Sequence, residues 1–322
     1  HTIDVILDIA ARQCRSNGVY CNFLSHALVC RGVGLKKSQA RVTERLLAPS
    51  AKAAQLPETS TLLYTLFLDN GKSSVLIDSP GASASSLRAR PATTAAAERV
   101  STTQRKAEAI PLEDFLADDG LKSSRSSVTS FETASRGAAN MGTPVSRLVA
   151  QFKLLAAACK SRNAVAAAHC EAIVDLDTAI SIVEAGAKIP EELRAACVEY
   201  VCACFVDVDP CIDQVEAARN LVQVWESIPA TRDQVKPAPP LSGRFGQKFV
   251  KFVNFLEAYL KAHKAMNPDN RGENQCIIAC ISAVRELVRF GYITQADAVR
   301  WIEVLTPVLD GRDDQTPAFS EA

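Results

Sequence analysis

The spacing of apolar residues between Thr143 and Leu309 constrains the fold more than any other feature of this chain. Apolar residues recur there every three to four positions, which is the period of amphipathic α-helices. In the first helix the stripe comprises Val145, Leu148, Val149, Phe152, Leu155 and Cys159, and Thr143 with Pro144 supplies its cap and first turn. Further helices are predicted over residues 162–172, 176–185, 190–206, 211–227, 243–265, 273–290 and 294–309. Their short connections favour an all-α fold of armadillo-like stacked helical pairs, although the stretch has no strict repeat period.

The N-terminal part combines helices with one hairpin. Residues 2–47 carry three helical patterns, and two glycines in the stretch CRGVGLKKSQ predict a helix stop and restart between the second and the third. Further on, LLYTLFLD and SSVLID favour strands and flank the turn sequence Asp69-Asn70-Gly71. We therefore predict a small β-hairpin near residues 62–78.

The composition changes over residues 79–140, where Ser, Ala, Thr, Pro and Arg replace large apolar residues. Such a segment buries too little surface to offset its chain entropy, so we predict a low-complexity flexible linker. Within it, only PLEDFLADD at residues 111–119 favours a short helix. The predicted organisation is an N-terminal helical segment with a hairpin over 1–78, the linker over 79–140, a helical armadillo-like domain over 141–310 and a tail over 311–322. The loop VKPAPPLSG at 235–243 is the clearest break within the helical domain.

Charge and cysteine usage limit the classes of function. The 36 basic and 36 acidic residues balance, so we expect no nucleic-acid partner and no membrane contact by this chain. The 11 cysteines lie mostly among apolar residues, which is typical of reduced thiols in the cytosol. The longest apolar run, Ala195–Val206, contains Glu199 and is shorter than the roughly 20 residues of a membrane-spanning helix. The N-terminus lacks the features of a signal peptide, and because His1 is not preceded by Met we expect a part of a longer protein.

Two groups of residues invite a metal hypothesis. Thiolates at short spacing bind zinc, and the candidates are Cys197, Cys202, Cys204 and Cys211. Their spacing is not that of a zinc knuckle, so we interpret them, like the pair Cys276 and Cys280, as buried structural thiols. Asp207 and Asp209 supply too few oxygens for calcium, which needs roughly six to eight, and we interpret them as a cap for a helix beginning near Pro210. A calcium site shared with a neighbouring domain stays open. We predict no bound metal and no cofactor.

The remaining polar candidates do not form a catalytic pattern. Gly243-Arg244-Phe245-Gly246-Gln247-Lys248 lacks the spacing of a phosphate loop and is interpreted as a helix start. One face of the chain is basic and comprises Lys36, Lys37, Arg41 and Arg45. This face either binds an acidic or polyphosphate partner or is an ordinary solvated surface. The histidines at 1, 26, 169 and 263 belong to no nucleophile motif. We therefore assign no catalytic residue and expect no enzyme activity.

Short motifs in the C-terminal half follow one another in a distinctive order. They are IPEELRAACVEYVCACFVDVDP, QVEAARNLVQVWESIP and LVRFGYITQADAVRWIEVLTPVLD. Together they resemble the central cytosolic helical region of inositol trisphosphate receptors, with its L-R-A helix, V-D-x-D-P turn, W-x-x-I-P segment and L-x-x-F-G-aromatic junction. The matching residues are Leu193, Arg194, Ala195, Val206, Asp207, Asp209, Pro210, Trp225, Ile228, Pro229, Leu287, Phe290, Gly291 and Tyr292. Near the N-terminus, NFLSHALVCRGVGLKKSQARVTERLL resembles the homology module that ryanodine receptors share with this family. Cys211 departs from the family, which usually carries polar residues after the proline.

The resemblance implies a regulatory domain of an intracellular calcium-release channel, which transmits ligand binding to the pore by allosteric coupling. It also implies a homotetrameric parent on the endoplasmic reticulum or a similar store membrane, with this domain on the cytosolic side. The partners implied are neighbouring domains of the same channel: the ligand-binding region and the downstream helical and pore domains. We expect hinges at 79–140 and 235–243, and no complete ligand pocket, since the family's pocket residues precede this region. The alternative is a free-standing armadillo-like scaffold that binds a protein partner in its groove.

Overall fold

The computed structural model describes residues 3–7, 18–47, 63–69, 71–77, 108–116, 143–208, 246–290, 292–293 and 297–311. Within these ranges the chain is mostly helical, with a small antiparallel sheet, as the sequence predicts. The helices are α1 (Val19–Ala27), α2 (Lys36–Val42), α3 (Pro144–Cys159), α4 (Ala164–Ile173), α5 (Leu176–Glu184), α6 (Glu191–Val201), α7 (Gly246–Ala262), α8 (Arg271–Arg289) and α9 (Ala298–Asp310). The strands are β1 (Val29–Cys30), β2 (Val33–Gly34), β3 (Thr65–Asp69), β4 (Lys72–Ile77) and β5 (Glu108–Pro111). Residues 3–7 and 112–116 are also helical.

The helical boundaries follow from side chains that cap the helix ends. The predicted Thr143 cap is confirmed, since its hydroxyl accepts a hydrogen bond from the Ser146 amide at 3.1 Å. Similar caps begin α4, α5 and α8, and they come from Asn163, Asp175 and Asn270. Each cap satisfies an amide that the first turn leaves without an intrahelical partner.

Helix α6 lies at the centre of the described helices. It packs against α3, α5 and α8, and its residues Leu193, Cys197, Tyr200 and Val201 have no exposed surface. A π-helical turn, Cys202–Val206, continues α6 to Asp207. The core therefore forms around α6, and both ends of this helix contact other elements.

The predicted hairpin near 62–78 is confirmed by the antiparallel pairing of β3 with β4. Gly71 takes the positive φ of 78° that the turn requires. The sheet has the order β3-β4-β5, and its third strand comes from the segment predicted as a linker. Leu112 and Phe115, which follow β5, are buried, and the Phe115 ring lies 5.3 Å from that of Tyr64. Residues 108–116 thus belong to the folded sheet layer, which packs against α5.

The stretch predicted as a simple helix stop and restart contains a short hairpin. β1 pairs with β2 across Arg31 and Gly32, whose φ angles of 49° and 81° fit a two-residue turn. Gly34 then approaches α3 so closely that a Cβ would lie 2.6 Å from the Lys160 carbonyl oxygen. Buried Gln39 donates to the carbonyls of Ala157 and Lys160 at 2.9 and 2.8 Å, which ties α2 to the end of α3.

Several predictions fall outside the described residues. They concern the helix at 211–227, the loop at 235–243, the tail after Gly311 and the rest of the 79–140 segment. Among the described helices, none combines the length and the apolar content that crossing a bilayer requires.

Candidate functional site

An arginine junction joins the first turn of α6 to α5 and α7. The Arg194 side chain is 5% exposed and donates from Nε to the Val183 carbonyl at 3.1 Å. Its Nη2 group donates to the Gly186 carbonyl, and its Nη1 group pairs with Glu191. Val183 lies in the last turn of α5, where helix carbonyls have no intrahelical partner, and Gly186 begins the 3-10 turn that follows α5. Arg194 therefore caps α5 while it belongs to α6.

A polar chain extends this Arg194 junction to α8. The Tyr259 hydroxyl of α7 donates to Glu191 at 2.8 Å, and the Arg194 guanidinium carbon lies 5.9 Å from the Tyr259 ring centre. Burial raises the pKa of Tyr259, so its hydroxyl stays a donor. The Tyr259 ring stacks on His263 at 4.2 Å, and His263 Nδ1 lies 2.5 Å from a Glu273 carboxylate oxygen. Four helices therefore share one connected set of polar contacts.

A second arginine junction lies at the other end of α6. Arg162 Nε donates to Asp207 at 3.2 Å, although the two residues are 45 positions apart. The Arg162 guanidinium carbon also lies 5.2 Å from the ring centre of Phe290, at the end of α8. Cations favour this position over an aromatic face. The Arg162 junction thus joins the connection between α3 and α4 to the ends of α6 and α8.

The backbone around the Arg162 junction is strained. Ser161 and Arg162 have φ angles of 63° and 61°, a left-handed conformation that costs a residue other than glycine roughly 1–2 kcal/mol. Ser161 also accepts a hydrogen bond from the Gly34 amide at 2.9 Å. On the other side, the Asp207 amide bonds to the Cys202 carbonyl at 2.7 Å and closes the π turn. Strained and π-helical backbone concentrates at functional sites, which makes this junction a candidate.

The structure places two of the thiols proposed for zinc, Cys197 and Cys204, in separate buried groups. Cys204 lies with Cys159 and Cys170 beside Tyr200, whereas Cys197 lies near Cys276. Cys197 and Cys204 are buried, as predicted, whereas Cys202 is only partly buried and Cys211 lies outside the described residues. Within the described part of the chain, no three His, Cys, Asp or Glu side chains are arranged to hold a metal ion.

These thiols act as weak donors within the core. Cys197 and Cys204 Sγ lie 3.3 and 3.6 Å from the carbonyl oxygens of Ala179 and Ala167. Burial raises the pKa of Cys197, and a hydrogen bond with Cys159 together with burial raises that of Cys204. Because thiolates are the reactive form, raised pKa values keep these cysteines unreactive.

The other sequence candidates lie apart from the two junctions. All four members of the basic face are exposed, and Arg41 Nη1 donates to both carboxylate oxygens of Asp4 at 2.9 Å. Gly246 begins α7, which confirms the helix start predicted there. Asp207 pairs with Arg162, a contact that the capping interpretation did not include, and Asp209 lies outside the described residues.

Sequence reasoning missed the contacts of Arg162, Tyr259, His263 and Glu273. Arg162 and Tyr259 bond to residues 45 and 68 positions away, so no local pattern identifies them, and His263 was considered only as a catalytic histidine. Arg194 and Phe290 were singled out by the resemblance alone, and Asp207 also as a calcium or capping candidate. The structure places all three in the two junctions. Comparison of the sequence with protein-family models and with curated proteins gives no match.

The geometry of the two junctions suits the transmission of movement between helices. Each arginine contacts at least two elements besides its own, and each end of α6 is fixed by one junction. These contacts link α5 and α7 to the start of α6, and they link the end of α6 to α8 and the α3–α4 connection.

Proposed function

We propose that this chain is a cytosolic coupling domain of an inositol trisphosphate receptor-like calcium-release channel. In this proposal it transmits ligand binding in one part of the channel to the pore in another. The helical domain has the armadillo-like superhelical arrangement, lies on the cytosolic side of a calcium-store membrane and belongs to a homotetrameric channel. Its partners are neighbouring domains of the same channel.

The observation that carries the proposal is that two motifs distant in sequence meet at one arginine. Asp207 of the V-D-x-D-P turn and Phe290 of the F-G-aromatic motif both contact Arg162. Arg194 of the L-R-A motif lies at the other end of α6, where it contacts α5 and α7. Motifs needed only for local helix formation have no reason to meet as those of Asp207 and Phe290 do.

The proposed mechanism is mechanical. Helices packed at native density move as rigid bodies, so a shift at one end of α6 reaches the other end with little loss. The Arg162 junction is the element with two arrangements: with the Arg162–Asp207 pair formed, the ends of α6 and α8 are held together. When the pair opens, the strained Ser161–Arg162 backbone is released. Ligand binding biases this equilibrium and thereby the pore.

The test replaces either partner of this pair in the full channel. Arg162→Gln and Asp207→Asn are expected to alter ligand-evoked calcium release from vesicles by similar amounts while ligand affinity stays unchanged. Arg285→Gln is the matched control, since Arg285 is 74% exposed and pairs only with Glu286 beside it among the contacts described here. Unchanged release in both junction variants, or loss of ligand binding, contradicts the coupling role.

A further inference from the structure

Helix α9 carries apolar residues on two opposite sides. Trp301, Val304 and Val308 face the core and are buried. Val299, Ile302 and Leu309 fall within about 80° of one another on the other side of the helix, and each is about two-thirds exposed. A helix that is apolar on both sides is typically covered on both. We call the exposed set, together with the adjacent Glu303, the tail face.

The tail face is acidic, because the exposed carboxylates of Glu303 and Asp310 fall beside Val299 around the helix. The basic side chain of α9, Arg300, is engaged with Asp297 at 3.1 Å and with Glu257 at 3.5 Å. The last turn of α9 contains Asp310 and no basic residue, so its charge adds to the negative end of the helix dipole. A partner for this face therefore needs apolar side chains beside basic ones.

The chain itself presents such a surface at its N-terminal end. Phe23, Val33 and Leu35 are between 42% and 60% exposed. Gly34 contacts the end of α3, so its neighbours Val33 and Leu35 point away from the core, as Phe23 does on α1. The surrounding residues are basic: residues 18–47 contain five basic side chains and one acidic side chain. We call Phe23, Val33, Leu35 and the exposed Arg31, Lys36 and Lys37 the head face.

The two faces are complementary in apolar surface and in charge. The tail face sets apolar side chains beside acidic ones, and the head face sets apolar side chains beside basic ones. They also lie on different parts of the molecule, because α1 and α2 pack against α3 whereas α9 packs against α7. We propose that the tail face binds the head face of a second copy of this chain. The association is heterologous, so it continues from copy to copy until a ring closes or a filament forms. This inference goes beyond the proposed function, because a channel domain and a free-standing scaffold both accommodate it.

The test uses one substitution in each face of the 322-residue chain. Phe23→Ser disables the head face and Ile302→Ser disables the tail face. Val165→Ser is the matched control, since Val165 is 65% exposed on α4 and belongs to neither face. Circular dichroism spectra and thermal unfolding midpoints identify variants that retain the native fold.

Sedimentation velocity over a concentration series gives the outcome. The wild-type chain and Val165→Ser are expected to associate, and each face variant alone to weaken association about tenfold or more. An equimolar mixture of Phe23→Ser and Ile302→Ser retains one intact face of each kind, so it forms a dimer and no larger species. Raising the salt concentration weakens all of these associations, because the faces carry opposite charge.

Three results overturn the proposal. One is a wild-type chain that stays monomeric at every concentration. This result overturns the proposal even if the head face of that monomer binds phosphatidylserine vesicles. Another is association that neither face variant weakens, or that Val165→Ser weakens equally. The last is a mixture of the two face variants that stays monomeric. None of these results affects the coupling proposal, which is measured by calcium release in the full channel.

Discussion

Replacement of Arg194 by alanine is the most informative single perturbation of the fold. The substitution removes the donors to the Val183 and Gly186 carbonyls and leaves the Glu191 carboxylate with only its Tyr259 contact among those described here. Because the Arg194 side chain is only 5% exposed, water replaces these contacts poorly. Removing one partner of a fully buried, hydrogen-bonded ion pair lowers the free energy of unfolding by about 3–5 kcal/mol. Because the Glu191 side chain is 27% exposed, we expect a loss at the lower end, about 3 kcal/mol.

The assay is urea unfolding of the chain, followed by circular dichroism at 222 nm, a standard wavelength for helix content, with linear extrapolation to water. The matched control is Arg285→Ala, which removes a 74% exposed arginine from α8 and is expected to change stability by less than about 0.5 kcal/mol. Arg194→Lys should also be destabilised, because an ammonium group cannot reproduce the planar set of donors. A loss below about 1 kcal/mol for Arg194→Ala would refute the argument that this junction fixes the start of α6.

Other perturbations test separate parts of the account. Gly34→Ala should lower the free energy of unfolding by about 1–3 kcal/mol, because its Cβ would meet the Lys160 carbonyl, and an unchanged urea midpoint would contradict that approach. Thr143→Ala should cost about 1 kcal/mol through loss of the α3 cap, whereas Thr143→Ser should cost little in the same assay. A double-mutant cycle on Arg162→Gln and Asp207→Asn should give a coupling energy of about 1 kcal/mol, since both side chains are partly exposed, and strict additivity would exclude the pair. Above pH 9 the free energy of unfolding should fall, because the thiols ionise in the unfolded chain while the folded state, which holds their pKa values higher, keeps them protonated. Below pH 9 the thiols are protonated in both states, so the stability that they contribute is fully present. Each such thiol lowers stability by at most about 1.4 kcal/mol per pH unit, and Cys197→Ala should make the decline shallower. The thiols with raised pKa values are Cys159, Cys197, Cys202, Cys204 and Cys280.

The helices of the C-terminal half could be predicted because their information is local. The apolar stripe of α3 and its Thr143 cap lie within one stretch of sequence, and the observed helix begins at the predicted residue. The β3–β4 hairpin was equally accessible, since Asp69-Asn70-Gly71 specifies the turn and the flanking residues favour strands. Boundaries were less accurate: the helix predicted over 190–206 changes to a π turn at Cys202.

The elements that were missed depend on distant partners. β5 has few strand-forming residues, and only its pairing with β4 makes it a strand. The β1–β2 hairpin consists of two-residue strands that leave no periodic signal, although Gly34 and Gln39 fix it against α3. The Arg162 junction could not be derived from the sequence, because the Arg162–Asp207 contact depends on how α4 and α6 pack. The Arg194 junction could not be derived either. The resemblance identified Asp207 without identifying its partner.

The identity of the native protein tests the central proposal most directly. An antibody raised against residues 143–310 would be used to detect the native protein in fractionated cells, and its size and its association with membranes would be measured. The coupling proposal predicts a membrane-bound protein several-fold larger than the 34.6 kDa of this chain. A soluble protein near 34.6 kDa would contradict it and favour the free-standing armadillo-like scaffold.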